Sequence, residues 1–429
     1  MTDVSDTVIT AGAIPYAEHR SGDVAAPETL LRLFYPWLIV AAFGVYWLTF
    51  LILESRNGFA SFGADTILYT KIAYGPFDDR LTRFHPATVA LALSWMKIVH
   101  PFFAWVSPHH LLAALFAAIG AAGVLAALSA FEMLVPRRYV LICGLIYASS
   151  LGIWYFSSIA ESKILTASLA TLYIAIYLRL REKWTLQGAL LLTGVLAAAC
   201  LNENVSAFLI VIPVVDTIRR QGLNLRAAEW IMAHGVVVPV ALFILEVTIN
   251  GRLPAAGTNL ESGSSWTMFW FYAGISDHSV QSLYSFVLNW LFFNIAAPTL
   301  HAYAAVPIWP NYYGYFDPFF SNYFMSFTSA GLIAVLALMV FASVTPGWRG
   351  ERQVMPGIMV PLIAYSALRG VFFFIFNPAE VMQFSPAVTL PHLIFILAPF
   401  AASKFPAKSS VLVGFALLLL ATNLRFMIG

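Results

Sequence analysis

Ionisable side chains crowd the segment 54–86, which separates two strongly apolar stretches of the chain. They include Asp65, Lys71, Asp78, Asp79, Arg80, Arg83 and His85. Charged residues make up 10% of the whole composition, so this density is a local excess that a plain connection between two membrane helices does not require. Carboxylates can take a proton from a hydroxyl or bind a divalent ion, and cations can hold a phosphate. We therefore predict that the segment is a catalytic loop at the outer face of a membrane.

Asp65 is the first candidate for a catalytic carboxylate in this loop. Tyr69 follows one helical turn later, so on a short helix the carboxylate and the phenol would share a face. Gly63 and Ala64 precede Asp65, and an aspartate at such a position also caps the N-terminus of a helix. The residues by themselves leave both interpretations open.

Further ionisable residues lie in or at the ends of the apolar stretches, where charge is costly and by default marks function. They are Glu161, Lys163, Glu203, Glu246 and Arg369. Glu161 and Lys163 belong to the segment 157–163, which is either a solvated turn or a contact for an anionic headgroup or a metal ion. Arg369 lies towards the outer end of its predicted helix. It either snorkels to the interface or clamps a phosphate with its preformed fork of donors.

The composition places the chain among polytopic, all-α membrane proteins. Of its 429 residues, 60% are hydrophobic and 15% are aromatic. Apolar runs of roughly 17–25 residues, the length of a membrane-spanning helix, recur along the chain. The net charge of +2 is too small to indicate nucleic-acid binding. Cys143 and Cys200 both lie in apolar stretches and fit neither metal spacing nor a disulfide framework.

Basic residues concentrate in short connections that the positive-inside rule assigns to the cytoplasm. These connections are 136–138, 179–183, 219–226 and 349–352, together with the pair Lys404 and Lys408. With this orientation, residues 1–33 form a polar cytoplasmic segment and residues 34–429 form a single transmembrane domain.

Two outer regions follow from the same orientation, at residues 54–110 and 251–322. Counting the crossings leaves no room for 87–99 or 284–300 to span, so each is predicted to lie along the interface as a peripheral helix. The total is about eleven transmembrane helices. The second outer region is rich in Trp, Tyr and Phe, which suits either an aromatic belt at the headgroup level or a wall for a sugar or a lipid tail.

Short motifs along most of the chain resemble those of the GT-C superfamily of membrane glycosyltransferases, whose members include protein O-mannosyltransferases and the lipid A aminoarabinose transferase. Asp65 in the first outer loop is similar to the start of the family pattern, and Arg83–Pro86 is similar to the end of that loop. Ser158–Leu165 resembles the second acidic site of the family. Gln383–Pro386 resembles its late aromatic–proline motif, with Gln383 where the family usually has a basic residue.

The resemblance implies a sugar donor linked to a polyprenyl phosphate and transfer at the outer, periplasmic face of a bacterial inner membrane. The acceptor would be a lipid, glycan or protein of the cell envelope, and membrane lipids would be further partners. Its hydroxyl would attack the anomeric carbon in one inverting step, with Asp65 as general base and Glu161 as the second catalytic carboxylate. The need for a divalent metal cofactor is left open, and the candidates for holding one are Asp65 and Glu161.

A wider set of residues would bind the substrates. It comprises Tyr69, Asp78, Asp79, His85, Lys163, Arg369, Glu380 and Gln383. The leaving phosphate is a weak base that needs charge stabilisation more than a proton, and Arg369, Lys163 and His85 would supply that stabilisation.

Two other classes of protein compete with this interpretation. A transporter or lipid flippase would use Glu203, Glu246 and Arg369 as relay or substrate groups. The interruption of an apolar hairpin at 202–204 favours it, whereas the lack of a two-fold sequence repeat does not. In a non-catalytic scaffold of an envelope complex, Asp65 and Glu161 would not converge.

Overall fold

The computed structural model describes residues 32–57, 85–223, 276–297, 324–348 and 356–428, with a few isolated positions between these ranges. Every regular element in these ranges is helical, which confirms the all-α class. The α-helices are α1 (Tyr35–Asn57), α2 (Pro86–Val99), α3 (Pro108–Leu134), α4 (Arg137–Ser149), α5 (Leu151–Ser157), α6 (Lys163–Glu182), α7 (Leu186–Asn202), α8 (Val211–Gln221), α9 (Val280–Leu288), α10 (Phe327–Val344), α11 (Pro356–Phe376), α12 (Val381–Phe384), α13 (Thr389–Ala402) and α14 (Lys408–Ile428). Short 3₁₀ turns lie at Asn204–Ile210, Pro378–Glu380 and Ser385–Val388, and a π-helical turn lies at Asn289–Phe293.

Seven helices among the described residues are long and apolar enough to cross a membrane. They are α1, α3, α6, α10, α11, the continuous stretch of α12 and α13, and α14. Helices α4 and α5 meet at a bend of 59° and pass the same test together, which raises the number to eight when they count as one span. The chain is therefore an integral membrane protein. The predicted total of about eleven crossings stays a prediction, because most of 224–269 lies outside the described residues.

The two stretches predicted to be peripheral form short helices. Helix α2 has 14 residues, and α9 has nine before the π-helical turn continues it. At 1.5 Å per residue, fourteen residues extend about 21 Å, which is less than the roughly 30 Å of hydrocarbon in a bilayer. Neither helix can span a membrane unaided.

Glycines allow α3 to approach its neighbours closely. A Cβ atom on Gly120 would lie 2.0 Å from the Ser157 Oγ at the end of α5, and one on Gly123 would lie 2.6 Å from the Ser168 Oγ on α6. Small residues at helix interfaces allow this backbone approach inside a membrane, where hydrophobic burial between helices adds little. These contacts flank the segment between α5 and α6, which contains Glu161 and ends at Lys163, the first residue of α6.

The bend between α4 and α5 leaves backbone amides that the helices themselves cannot pair. The Leu151 amide donates to the Ile295 carbonyl at 2.9 Å, and the Gly152 amide donates to the Asn294 carbonyl at 2.8 Å. Since water is absent from the hydrocarbon, a helix break at this depth requires such protein partners. The region after the π-helical turn therefore closes the break in the N-terminal half.

Several of the basic connections assemble at one end of the bundle. Arg181 in the last turn of α6 donates to the buried Asp216 of α8 at 2.7 Å, and Arg220 lies 3.9 Å from the same carboxylate. At the same end, the Lys404 amide donates to the Trp348 carbonyl at 2.6 Å. Asp216 therefore belongs to the basic end, as its neighbouring arginines indicate in the sequence.

Candidate active site

Three charged side chains meet inside the bundle, at the end opposite the basic connections. Glu203 accepts a hydrogen bond from Nη2 of Arg369, and its Oε1 lies 3.8 Å from Nζ of Lys163. Exposure is 1% for Arg369, 8% for Glu203 and 7% for Lys163. We call these three residues the charged trio. Buried charges are found paired because an isolated ion in a low-dielectric interior is costly.

Helix ends position two members of the trio. Lys163 is the first residue of α6, and Glu203 follows the last residue of α7 in an extended conformation before the chain enters a 3₁₀ turn. Arg369 lies in the second half of α11. The three charges therefore lie near the ends of apolar helices, towards the edge of the predicted hydrocarbon, where polar groups are less costly than at its centre.

Two stacked phenylalanine rings form the wall beside the cations. The rings of Phe373 and Phe384 are 3.9 Å apart and nearly parallel. Nζ of Lys163 lies 4.9 Å from the centre of the Phe384 ring, and Cζ of Arg369 lies 4.9 Å from that of Phe373. These are cation–π distances. Arg369 also donates from Nε to the Phe384 carbonyl at 3.3 Å, so the aromatic–proline motif predicted to be functional contacts both cations.

Asn202 links three helices next to the trio. Its Nδ2 donates to the Ser162 carbonyl at 3.1 Å and to Oγ1 of Thr166 at 2.8 Å. Its Oδ1 accepts from the Thr88 hydroxyl of α2, and its carbonyl lies 2.7 Å from Nδ1 of His85. The predicted substrate-binding residue His85 is thereby held beside Glu203.

Glu161 is buried, so the alternative of a solvated turn is wrong for this residue. Its Oε1 accepts hydrogen bonds from the amide of Ser162 at 2.9 Å and from the Ser162 hydroxyl at 3.1 Å. Arg369 is buried as well, which excludes snorkelling to the interface.

The trio and the neighbouring Tyr365 retain hydrogen-bonding capacity that the described residues do not use. Nη1 of Arg369, Oε1 of Glu203 and the hydroxyl of Tyr365 are buried and have no hydrogen-bond partner within the described part of the chain. One carboxylate faces two cations, so the trio taken alone carries one excess positive charge. A buried guanidinium N–H without an acceptor is suited to an incoming anion, because charge-assisted hydrogen bonds to phosphate are strong.

The remaining predicted site residues divide into two groups. Asp65, Tyr69, Asp78 and Asp79, and also Glu246, lie outside the described residues, so the convergence of Asp65 with Glu161 stays a prediction. Glu380 is half-buried in the 3₁₀ turn after α11, and Gln383 is half-buried in α12 next to Phe384.

Two residues of this site have no predicted role in glycosyl transfer. Glu203 is among the ionisable residues that by default mark function, with a specific role only in the transporter alternative, and no function is predicted for Asn202. The signal was present in the polar run 202–204, which interrupts an apolar hairpin. What the sequence lacked was the identity of the partners, which come from α6 and α11.

No protein-family model matches this chain, and no curated protein sequence matches it. Solved structures do. The chain is similar in fold to ArnT from Cupriavidus metallidurans bound to undecaprenyl phosphate, with 13% identity and a TM-score of 0.53 over 87% of this chain. The predicted GT-C-like fold is confirmed. This chain spans 60% of the length of that ArnT chain.

A second similar structure is the Archaeoglobus fulgidus oligosaccharyltransferase in complex with Zn and sulfate. It shares 11% identity with this chain and covers 91% of it and 52% of its own length, at a TM-score of 0.47. Since the identity is this low, the similarity to ArnT shows the fold alone.

Proposed function

We propose that this chain is a GT-C-type glycosyltransferase that moves a sugar from a polyprenyl-phosphate donor to a lipid, glycan or protein acceptor of the cell envelope. The observation that carries the proposal is the charged trio, in which two buried cations face one carboxylate and Arg369 keeps a donor that no described residue uses. A lipid-linked phosphate needs such a site at the edge of the hydrocarbon. The similarity in fold to an ArnT structure bound to undecaprenyl phosphate supports the same class of ligand.

The proposed reaction is a single displacement at the outer face of the membrane. The acceptor oxygen forms a bond to the anomeric carbon while the bond from that carbon to the phosphate oxygen breaks, which inverts the configuration. Asp65 takes the acceptor proton as general base. The electron pair of the broken bond leaves with the polyprenyl phosphate, whose charge Arg369 and Lys163 stabilise.

Glu203 has a positioning role in this scheme. Its carboxylate holds Arg369 and Lys163 in place before a phosphate arrives, so little reorganisation accompanies binding. Asp78, Asp79, Tyr69, Glu380 and Gln383 are proposed to contact the sugar or the acceptor. A divalent ion held by Asp65 and Glu161 would add Lewis-acid stabilisation, and a buried carboxylate such as Glu161 is a ligand type that Mg²⁺ and Mn²⁺ prefer.

Binding of undecaprenyl phosphate to the full-length protein in lipid nanodiscs tests the proposal. Arg369→Gln and Lys163→Met should each weaken binding roughly tenfold or more, because a hydrogen bond to a charged group contributes about 1.5–3 kcal/mol. Arg220→Gln removes a cation at the opposite end of the bundle and should bind as the wild type does. Equal affinity in all four proteins would overturn the assignment of the phosphate site.

The ion pair between Glu203 and Arg369 also favours the transporter or flippase as a second candidate, since paired intramembrane charges line the pathways of such proteins. The two functions predict different products. A glycosyltransferase in proteoliposomes forms a glycosylated acceptor and free polyprenyl phosphate. A flippase moves the intact lipid across the bilayer and forms neither.

A further inference from the structure

Glu54 and two adjacent histidines form a second cluster of donor atoms, separate from the charged trio. Oε1 of Glu54 lies 2.5 Å from Nε2 of His109, and Oε2 of Glu54 lies 2.7 Å from Nε2 of His110. One carboxylate oxygen and the two imidazole nitrogens all lie within 4.8 Å of one another. All three side chains are half-buried. Each carboxylate oxygen therefore faces its own imidazole.

The packing of α1 against α3 builds this cluster. Glu54 lies in the last turns of α1, and the two histidines follow Pro108 in the first turn of α3. Phe50, one turn before Glu54, meets the ring of His110 edge-on at 5.8 Å, and the two imidazole rings are 4.4 Å apart. Aromatic contacts on this side keep the ring nitrogens turned towards the carboxylate.

We propose that Glu54, His109 and His110 bind a divalent transition metal ion, with zinc as the best match. Two imidazoles and one carboxylate are a ligand set that holds zinc in proteins and leaves a fourth position for water. Zinc–ligand bonds of about 2.0–2.1 Å set the donor atoms of a tetrahedral site about 3.3 Å apart. The carboxylate oxygens lie 2.5 and 2.7 Å from the imidazole nitrogens, so the side chains would separate by roughly 0.6–0.8 Å to admit the ion.

The ion would link the C-terminal end of α1 to the N-terminal end of α3. Helix α1 leads directly into residues 58–84, which contain Asp65, so the metal would fix the point from which that segment starts. None of the three ligands belongs to the charged trio, and the site is independent of the proposed transfer reaction. If no metal ion binds here, the glycosyltransferase proposal is unaffected. If the chain transfers no sugar, the proposed metal site is equally unaffected.

The number of zinc ions bound per chain tests the proposal directly. The full-length protein, purified without a polyhistidine tag, is stripped with a chelator, incubated with zinc and desalted, and its metal is counted by mass spectrometry. About one tightly held zinc ion per chain is expected, and Glu54→Gln and His110→Gln should each lose it. His100→Gln is the matched control, because His100 follows the end of α2, ten residues or fewer before the cluster histidines, but lies outside the cluster.

Cobalt substitution keeps the test decisive when a variant folds poorly. Wild-type protein loaded with Co²⁺ should show the intense visible absorption of a tetrahedral site with nitrogen and oxygen ligands, and zinc should displace it. Absence of stoichiometric zinc from the wild type, or full zinc retention in folded Glu54→Gln and His110→Gln, would overturn the site. The cluster would then be a hydrogen-bonded contact between helices only.

Discussion

Arg369 and Glu203 lie 166 positions apart in the chain and form an ion pair inside the helix bundle. Neither side chain reaches water to a useful extent, so each depends on the other for charge compensation. Lys163 lies further from the carboxylate, at 3.8 Å, and compensates only part of it. The ion pair is therefore expected to contribute both to the stability of the folded protein and to the proposed binding of phosphate.

Breaking this pair on one side should be more harmful than removing it altogether. Arg369→Met leaves a buried carboxylate with one distant cation and should lower the free energy of unfolding by about 3–5 kcal/mol. Adding Glu203→Gln removes the uncompensated charge and should recover a large part of that loss. Thermal unfolding in one detergent at a fixed scan rate compares the two proteins, and equal stability of the single and double variants would contradict the pairing.

The glycine contacts of α3 give a prediction about packing. Gly120→Ala places a methyl group against the Ser157 hydroxyl and should destabilise the protein by about 1–3 kcal/mol. Ser157→Gly in the same chain should relieve the clash. Gly44→Ala is the matched control, because beyond its own stretch of helix no described atom lies within 4 Å of the added methyl group and alanine favours the helix. A normal melting temperature for Gly120→Ala would show that α3 can move away.

Asn202→Ala should lower both stability and the proposed transfer activity. The substitution removes hydrogen bonds to α2 and α6 and leaves the buried Ser162 carbonyl without this donor, at a cost of about 1–3 kcal/mol. Asn289→Ala is the control, because among the described residues the Asn289 side-chain amide donates only to Ser285, one turn earlier. A loss of activity in both variants would deny Asn202 a special role.

Asp65→Asn should abolish sugar transfer without changing expression or the melting temperature. The amide has nearly the same shape but cannot accept the proton of the acceptor hydroxyl. Product formation from a polyprenyl-phosphate sugar is the measurement. The control is Asp277→Asn, at an exposed aspartate that accepts hydrogen bonds from the amide and hydroxyl of Ser279 just before α9. Wild-type turnover in Asp65→Asn would remove this residue from the mechanism.

The sequence predicted those site residues that stand out because burying a charge in an apolar run is energetically costly. A charge in an apolar run is conspicuous by itself, so Glu161, Lys163 and Arg369 were identifiable from their surroundings. Their contacts were not predictable. Glu203 meets Arg369 only because α7 and α11 end at the same side of the bundle, and no periodicity within either helix records that meeting.

In the fold, too, features set by the local sequence were predictable and features set by contacts between distant segments were not. Runs of apolar residues predicted the helices, and basic connections predicted which helix ends lie together. The bend between α4 and α5 was not foreseen, because the residues 149–152 contain no proline and the acceptors for the freed amides lie near residue 295. A break that depends on distant backbone partners leaves little trace in the local sequence.

That same break has a consequence for biogenesis. When α4 and α5 leave the ribosome, Asn294 and Ile295 have not yet been synthesised. The Leu151 and Gly152 amides therefore lack these hydrogen-bond acceptors at that stage. We therefore expect the N-terminal half to insert with this break incompletely hydrogen-bonded, and the later half of the polypeptide to complete it. Expression of the first 223 residues alone should yield a membrane-inserted fragment that is degraded rapidly, and co-expression of the remainder in trans should rescue it.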